Sequence, residues 1–287
     1  MAKKGKSSAV RSGGARRDKG EKTTDNAVSV KIRKKGKIGA NKGEQQQQQQ
    51  RAIEGKLLNS KNASFETETT ETLHNGSVFV ARNFLSGAEC RAWIDFMEGH
   101  GRDSSSLPST SKGMELVSHP ASAYIAHREC YRWSDKTWWT MADRIFDRMR
   151  PVLFREIFPQ MGPLFPPNYN PIGCNGNIRL YKYTKGMSFG CHVDGSDRTS
   201  RGKTEVTVLI YLSDCVGGAT RFYPPRTGKR SKPVSSSFAF VPEAGAVLLH
   251  VHGDRCLEHE ADPVERGTKY VLRTDLVFAK EDHKEQT

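Results

Sequence analysis

After Pro171 the apolar residues change their spacing to two, and this alternation limits what the chain can fold into. Ile178–Tyr183, Val206–Leu212, Ala219–Tyr223, Phe238–Val241, Ala246–Val251 and Lys269–Phe278 are β-branched or aromatic runs broken by Gly, Pro, Ser and Asp. That is the pattern of short strands joined by turns. Upstream the spacing is helical. Ser86-Gly-Ala-Glu89 forms a capping box, and Cys90, Trp93, Ile94 and Met97 follow at intervals of three and four. A second helix is expected from Ser134 as N-cap through Trp138, Ala142, Ile145, Phe146 and Met149, ending at Pro151. Its apolar stripe reads as core, with no ligand role for the tryptophans. Helices followed by many short strands indicate an α+β chain with a closed or sandwiched β core. No internal repeat is visible.

Charge divides the chain unevenly. Of a formal net charge of +13, the first 50 residues carry fourteen Lys or Arg against four Asp or Glu, which leaves about +3 for residues 51–287. This leader has almost no aromatic or large apolar residues and runs into Gln45–Gln50, so residues 1–51 are expected to be a disordered basic tail with polyglutamine. Its densest cluster, Lys31 to Lys37, suits a nucleic acid or an import receptor, or simply solvates the chain. Residues 52–76, rich in Thr, Glu and Asn, read as a linker, and 102–116 as a mobile loop. The folded domain is expected over 77–280. No segment resembles a secretion signal or a membrane span. The six cysteines lack the tight pairs of a zinc motif and are expected to be reduced thiols, which places the protein in the cytoplasm or nucleus. Oligomeric state leaves no mark in the sequence.

The chemistry is concentrated in His192-Val-Asp194 and a lone His259, 65 residues beyond Asp194. Residues two apart on an extended segment point to the same side, so His192 and Asp194 can reach one ion while Val193 turns away. Two imidazoles and one carboxylate on one face of an octahedron are the ligand set of non-haem Fe(II) oxygenases. A jelly-roll, or double-stranded β-helix, suits such a site because its facing sheets bring inward side chains of distant strands around one dry pocket.

From about Val78 to Phe278 the sequence resembles the prolyl 4-hydroxylase-like family of 2-oxoglutarate and Fe(II)-dependent dioxygenases. Tyr183-Thr-Lys-Gly186 leading to His192-Val-Asp194 is similar to the family's Tyr-x-x-Gly and His-x-Asp segment. Leu209-Ile-Tyr211-Leu212 with Gly217-Gly218-Ala219-Thr220-Arg-Phe222 is similar to its next strand pair, with Ala219 where Glu is usual. Val241-Pro242 and Gly245 match its following turn, and His259 through Pro263-Val264, Gly267 and Lys269 its ending.

The resemblance implies His192, Asp194 and His259 as metal ligands and catalytic centre. It implies Lys269 as the cation for the distal carboxylate of 2-oxoglutarate, with Arg273 on the same strand face in reserve. Tyr211 would donate to that carboxylate and Tyr183 would orient the iron-bound end. The implied reaction consumes O₂ and 2-oxoglutarate and hydroxylates an unactivated C–H bond, with ascorbate keeping the iron reduced. A protein or peptide side chain is the implied substrate, proline first; a small molecule or nucleic acid is the alternative. Asn177, Arg179 and the loop 195–203 are candidates for the substrate entrance, and His250 and His252 read as structural for want of a carboxylate partner.

Two readings compete. Gly186-Met-Ser188-Phe-Gly190 fits a serine hydrolase's nucleophile elbow with Asp194 and His259 in triad order, but it needs a helix after Ser188, and residues 191–203 have no apolar period to supply one. The other is a non-catalytic barrel with a polyanion-binding tail, which would be expected to have lost a ligand or the basic residue.

Overall fold

The computed structural model describes residues 44–45, 47–59, 70–100, 113–123, 125–225 and 237–281. The chain divides into two units, Met1–Gln45 and Gln46–Thr287. Most of the expected basic tail lies outside the described residues, and the fold below is that of the second unit.

Residues 47–57 form helix α1. Strands β1 (Thr70–His74) and β2 (Val78–Ala81) precede helix α2 (Gly87–Glu98), and β3 (Glu115–His119) and β4 (Arg128–Asp135) precede helix α3 (Trp139–Val152). The short α4 (Phe158–Met161) leads into β5 (Tyr169–Cys174), β6 (Ile178–Tyr183), β7 (Phe189–His192), β8 (Lys203–Tyr211), β9 (Cys215–Gly217) and β10 (Thr220–Tyr223). The chain closes with β11 (Phe238–Phe240), β12 (Val247–Val251), β13 (Glu258–Ala261), β14 (Val264–Gly267) and β15 (Lys269–Lys280).

All pairings are antiparallel. The main sheet runs β1-β2-β12-β8-β15-β6-β4-β7-β13-β10-β11, with β3 beside β4 and β5 beside β15, while β14 and β9 pair separately. The sheet curls until its two ends meet, and the His74 ring of β1 stacks on Phe238 of β11 at 5.9 Å. The result is the expected jelly-roll-like, nearly closed barrel with helices on one side.

The period of two divides the residues of each strand between two environments. On β8 Val206, Val208 and Ile210, on β12 Val247, Leu249 and Val251, and on β15 Leu272, Leu276 and Phe278 join Trp93, Trp138, Met141 and Ile145 of the helices in the main core. The alternate residues Thr207, Leu209 and Tyr211, Leu248 and His250, and Lys269, Val271 and Arg273 face inward. Both faces of these strands are covered, which explains their nearly unbroken apolar character.

The helices follow capping chemistry in one case and depart from it in another. The Ser86 hydroxyl accepts from Glu89 N, and the Glu89 carboxylate accepts from Ser86 N at 2.9 Å, completing the expected box. Ser134, by contrast, is not a cap. It lies in β4 opposite Arg179, and Asp135 makes the turn instead, its carboxylate accepting from Thr137 N at 2.7 Å. Pro151 does not end α3 either. It sits one residue before the end, and the chain then widens into a π turn over Leu153–Ile157, a register change that accommodates the missing N–H.

The expected linker 52–76 is also corrected, because α1 extends to residue 57 and docks on α3. The buried Glu54 accepts from Trp138 Nε1 at 2.8 Å and from Thr140 Oγ1 at 2.5 Å. Leu57 and Leu58 enter the main core, and Asn59 O accepts from Arg148 at 2.7 Å. Two leucines and one carboxylate suffice to anchor a segment that is otherwise polar. Of the expected mobile loop, 102–112 lie outside the described residues, and Glu115-Leu116 belong to β3.

Leu57→Ala and Leu58→Ala are each expected to lower unfolding free energy by about 2–5 kcal/mol in a denaturant titration. Losses below about 0.5 kcal/mol would mean that α1 is not part of the cooperative unit.

Candidate active site

Three strands and one turn bring the distant residues together. His192 closes β7 and pairs in register with His259 of β13, so the hydrogen-bonded ladder itself sets the two imidazoles side by side, with ring centroids 4.3 Å apart. Asp194 follows two residues after His192. Its N–H faces Cys256 Sγ at 3.3 Å, and its carbonyl accepts from Gly253 N at 3.0 Å, so the turn before β13 holds the backbone. The donor atoms of His192, Asp194 and His259 all lie within 4.8 Å of one another.

The ring orientations show what this group is suited to hold. His192 Nδ1 lies 2.8 Å from Gly190 O and His259 Nδ1 2.9 Å from Leu257 O. A carbonyl oxygen only accepts, so each Nδ1 carries the proton and each Nε2 presents a lone pair. Both lone pairs point at one carboxylate, with Nε2 of His192 3.8 Å from Asp194 Oδ1 and Nε2 of His259 3.8 Å from Oδ2. Three electron-rich groups converging in a buried place suit a shared cation, with backbone carbonyls fixing the tautomers from behind.

Protonation agrees with this. Burial pushes the His192 imidazole down to about 4, and burial also lowers His259, so both are neutral at pH 7. For Asp194 burial favours the acid form, but the Arg273 guanidinium, His250, His259 and the Thr207 hydroxyl outweigh it and hold the carboxyl well below the usual range. It is an anion.

Lys269 is the inward cation at the other end of the cavity. Its Nζ donates to Gly218 O at 2.6 Å, and among the described residues no carboxylate lies within ion-pair distance. Gly218 has φ +65°, and a Cβ there would come 3.3 Å from Lys269 Cδ, so a side chain would crowd the stem. Burial pushes the ammonium down to about 8. The rings of Tyr183 and Tyr211 flank it at 5.5 and 5.7 Å, where their faces offset part of the lost hydration. Their hydroxyls are engaged elsewhere: Tyr211 OH lies 2.7 Å from Thr220 Oγ1, and Tyr183 OH rests against Cys130.

Arg273, the reserve candidate, is committed. Its guanidinium donates to Asp194 Oδ2 at 3.0 Å, Thr207 Oγ1 at 3.2 Å and Asp275 Oδ1 at 3.3 Å. All seven residues singled out in the sequence line one cavity, together with Tyr181, Phe189, Thr207, Leu209 and His250.

Other expectations are redrawn. His250 does have a carboxylate partner, its Nε2 lying 3.5 Å from Asp194 Oδ2, and His252 Nε2 sits 2.7 Å from Thr207 Oγ1. Both follow from the inward alternation of β12, and the missing carboxylate was simply distant in sequence. His250, Cys256 and His259 form a second group of metal-ligand type. It is the weaker donor set, since His259 Nδ1 is engaged by Leu257 O and burial pushes the Cys256 thiol up to about 11. Arg179 is held by Asp275 at 2.7 Å. In the loop 195–203, Ser196 and Lys203 bind Glu205, and Arg201 binds Asp143, so Arg179, Arg201 and Lys203 are already paired. Ser188 is followed by β7 rather than a helix, which removes the elbow.

Residues 178–274, which contain every one of the seven, match the family model of the 2OG-Fe(II) oxygenase superfamily. No curated protein matches the chain. Among solved structures it is similar to the viral collagen prolyl hydroxylase of Paramecium Bursaria Chlorella virus-1 in its 2OG complex, at 18% identity over 71% of this chain and 96% of that one, with a TM-score of 0.44. A Pseudomonas putida prolyl-4-hydroxylase aligns at 14% identity over 70% and 92%, TM-score 0.40. A 2OG-Fe(II) oxygenase family oxidoreductase of Burkholderia pseudomallei aligns at 16% over 70% and 85%, TM-score 0.40. The matched residues are thus similar to a 2OG-Fe(II) oxygenase domain, a superfamily that implies Fe(II), 2-oxoglutarate and O₂.

Burial of an unpaired ammonium costs stability, with a definite pH dependence. An unfolded lysine keeps its proton to about pH 10.4, whereas folded Lys269 releases it near 8. Between these values the unfolded state binds more protons, so the cost is full below pH 8 and fades as pH rises. Lys269→Met is expected to raise the stability of the ligand-free protein at pH 7 by about 3 kcal/mol and to flatten the alkaline rise; a variant less stable than wild type at pH 7 would show the lysine to be structural.

Proposed function

We propose that His192, Asp194 and His259 hold the ferrous ion, that Lys269 binds the distal carboxylate of 2-oxoglutarate, and that the enzyme hydroxylates a side chain of a protein or peptide, proline first. The observation that carries the first assignment is the pair of imidazoles locked by backbone carbonyls with both Nε2 lone pairs aimed at one ionised carboxylate. Lys269 is favoured over Arg273 by charge. Arg273 already neutralises Asp194 and Asp275, whereas the ammonium has only a carbonyl and two aromatic faces.

When bound, iron and 2-oxoglutarate supply the oxidising power: one O₂ and one 2-oxoglutarate give succinate, CO₂ and one hydroxylated C–H bond. The chain's own residues position and insulate. Asp194 offers charge to the ion while Arg273 and Thr207 keep its second oxygen occupied. Phe189 and Phe222 stack on His192 and His259, at 3.9 and 5.4 Å between ring centroids, and exclude water from the rings. Tyr211 and Thr220 hydrogen-bond to each other through their hydroxyls, which leaves one proton of the pair to donate to a ligand in the cavity. A cytoplasmic or nuclear location, ascorbate as reductant and a polyanion role for the basic leader remain part of this proposal.

His192→Ala and Asp194→Ala are each expected to lower Fe(II) occupancy and to cut succinate formation by at least about 100-fold, whereas Ser188→Ala leaves turnover within about twofold. Full activity in the Asp194 variant would end the metal assignment. Because the Lys269 ammonium of the free enzyme loses its proton near 8, 2-oxoglutarate should bind with pH-independent affinity below that value. It should weaken toward about tenfold per unit above it, as a cation is lost. Calorimetry of the Mn(II)-loaded protein under anaerobic conditions measures this, and Lys269→Arg should abolish the decline.

A further inference from the structure

Two arginines beside the site carry charge that no carboxylate among the described residues pairs. Arg128 and Arg132 lie on β4 with the inward parity of Cys130, which packs with Tyr181 and Tyr183. Across the ladders Arg132 pairs with Tyr181 and Arg128 with Phe189. The two guanidinium groups straddle the Tyr181 ring, at 6.0 and 5.9 Å from its centroid, and Arg128 also lies 3.7 Å over Phe189. Tyr181 and Phe189 both line the catalytic cavity.

The bonding of these arginines is incomplete. The Nε atoms of both are buried without a hydrogen-bond partner, and so is Nδ1 of His119, which faces Arg128 across the β3–β4 ladder. Among the described residues no carboxylate comes within ion-pair distance of either guanidinium. The neighbouring arginines differ in their charge pairing: Arg179, whose Nε is also without a partner, and Arg273 on the same inner surface are each closed by Asp275 or Asp194. Half-buried arginines are normally paired, and two unpaired ones on either side of a single ring repel each other. Such an arrangement is stabilised by an incoming anion, and a guanidinium fork matches a carboxylate.

We propose that Arg128 and Arg132 recognise acidic residues of the substrate peptide on one side of the residue that is hydroxylated. This rests on the protein-substrate reading above and refines it. Arg128, Phe189 and His192 form one stack, with Phe189 and His192 rings 3.9 Å apart, so a single aromatic layer, Phe189, separates Arg128 from the proposed metal ligand His192. An extended peptide advances about 3.3–3.6 Å per residue, which puts the acidic residues about two to four positions from the target. Nucleic acid fits less well, because Arg128 already covers Phe189 and leaves no open ring on which a base could stack.

The test uses the full chain with Fe(II) and 2-oxoglutarate under anaerobic conditions and a fluorescein-labelled peptide with a central proline and glutamates at two to four residues on each side. Anisotropy should show binding that weakens at least tenfold when glutamine replaces glutamate, and at least tenfold in Arg132→Gln or Arg128→Gln. Among the described residues the Arg132 guanidinium has the Tyr181 ring beside it and no ion pair, so its variant remains informative if the Arg128 variant is unstable. A double Arg128→Glu, Arg132→Glu variant should prefer the same peptide with lysine flanks. Equal affinity for glutamate and glutamine flanks, or tighter binding of a ten-residue oligothymidylate than of the acidic peptide, would overturn the proposal. Succinate formation by the wild type is followed in parallel: its absence would count against the oxygenase reading, whereas peptide binding reports on the arginines alone.

Discussion

A single ionised carboxylate, Asp194, sets the terms for the interior of the barrel. It is buried among three imidazoles, which makes its charge costly unless cations or donors surround it. Arg273 and Thr207 supply part of the compensation, and Asp275 then balances the guanidinium and draws in Arg179. This alternation of sign runs along the inward faces of β6, β8 and β15. It decides which basic residue is spent on structure and which is left for a ligand. Lys269, four residues before Arg273 on the same strand, falls outside the network and donates only to the Gly218 carbonyl among the described residues, which is why we propose it for the co-substrate.

The sheet's alternation makes that arrangement possible. Each central strand gives every second residue to the helical core and the others to the cavity, so packing and chemistry are built from the same short segments without competing for positions. The cavity residues pay for this with desolvation. Burial depresses every histidine near Asp194 and keeps the imidazoles neutral, as metal ligation requires.

Much of this was legible in the sequence. The strands from Ile178 onward announced themselves by period, and the His-x-Asp pair by spacing. What escaped were features set by partners far along the chain. His250 looked structural because Asp194 lies 56 positions away; register with Thr207 across β8 and β12 brings them together. Arg273 stands in reserve to Lys269 in the sequence, and only the folded chain shows Asp194 and Asp275 claiming it. Ser134 looked like a cap because hydroxyl residues before apolar periods often are, yet pairing with Arg179 drew it into a strand. The segment holding Glu54, Leu57 and Leu58 is polar on average, and averages conceal three well-placed side chains.

The cross-strand pairing of His192 with His259 has a consequence for metal exchange. Their separation is fixed by adjacent backbones that bond to each other whatever lies between the rings. On the metal assignment proposed above, departure of the ion would leave the coordination frame standing, with little conformational entropy released. Uptake would then follow the ambient ferrous level as a simple saturable equilibrium, uncoupled from the unfolding of the polypeptide, in contrast to small zinc-nucleated domains that collapse when stripped by a chelator.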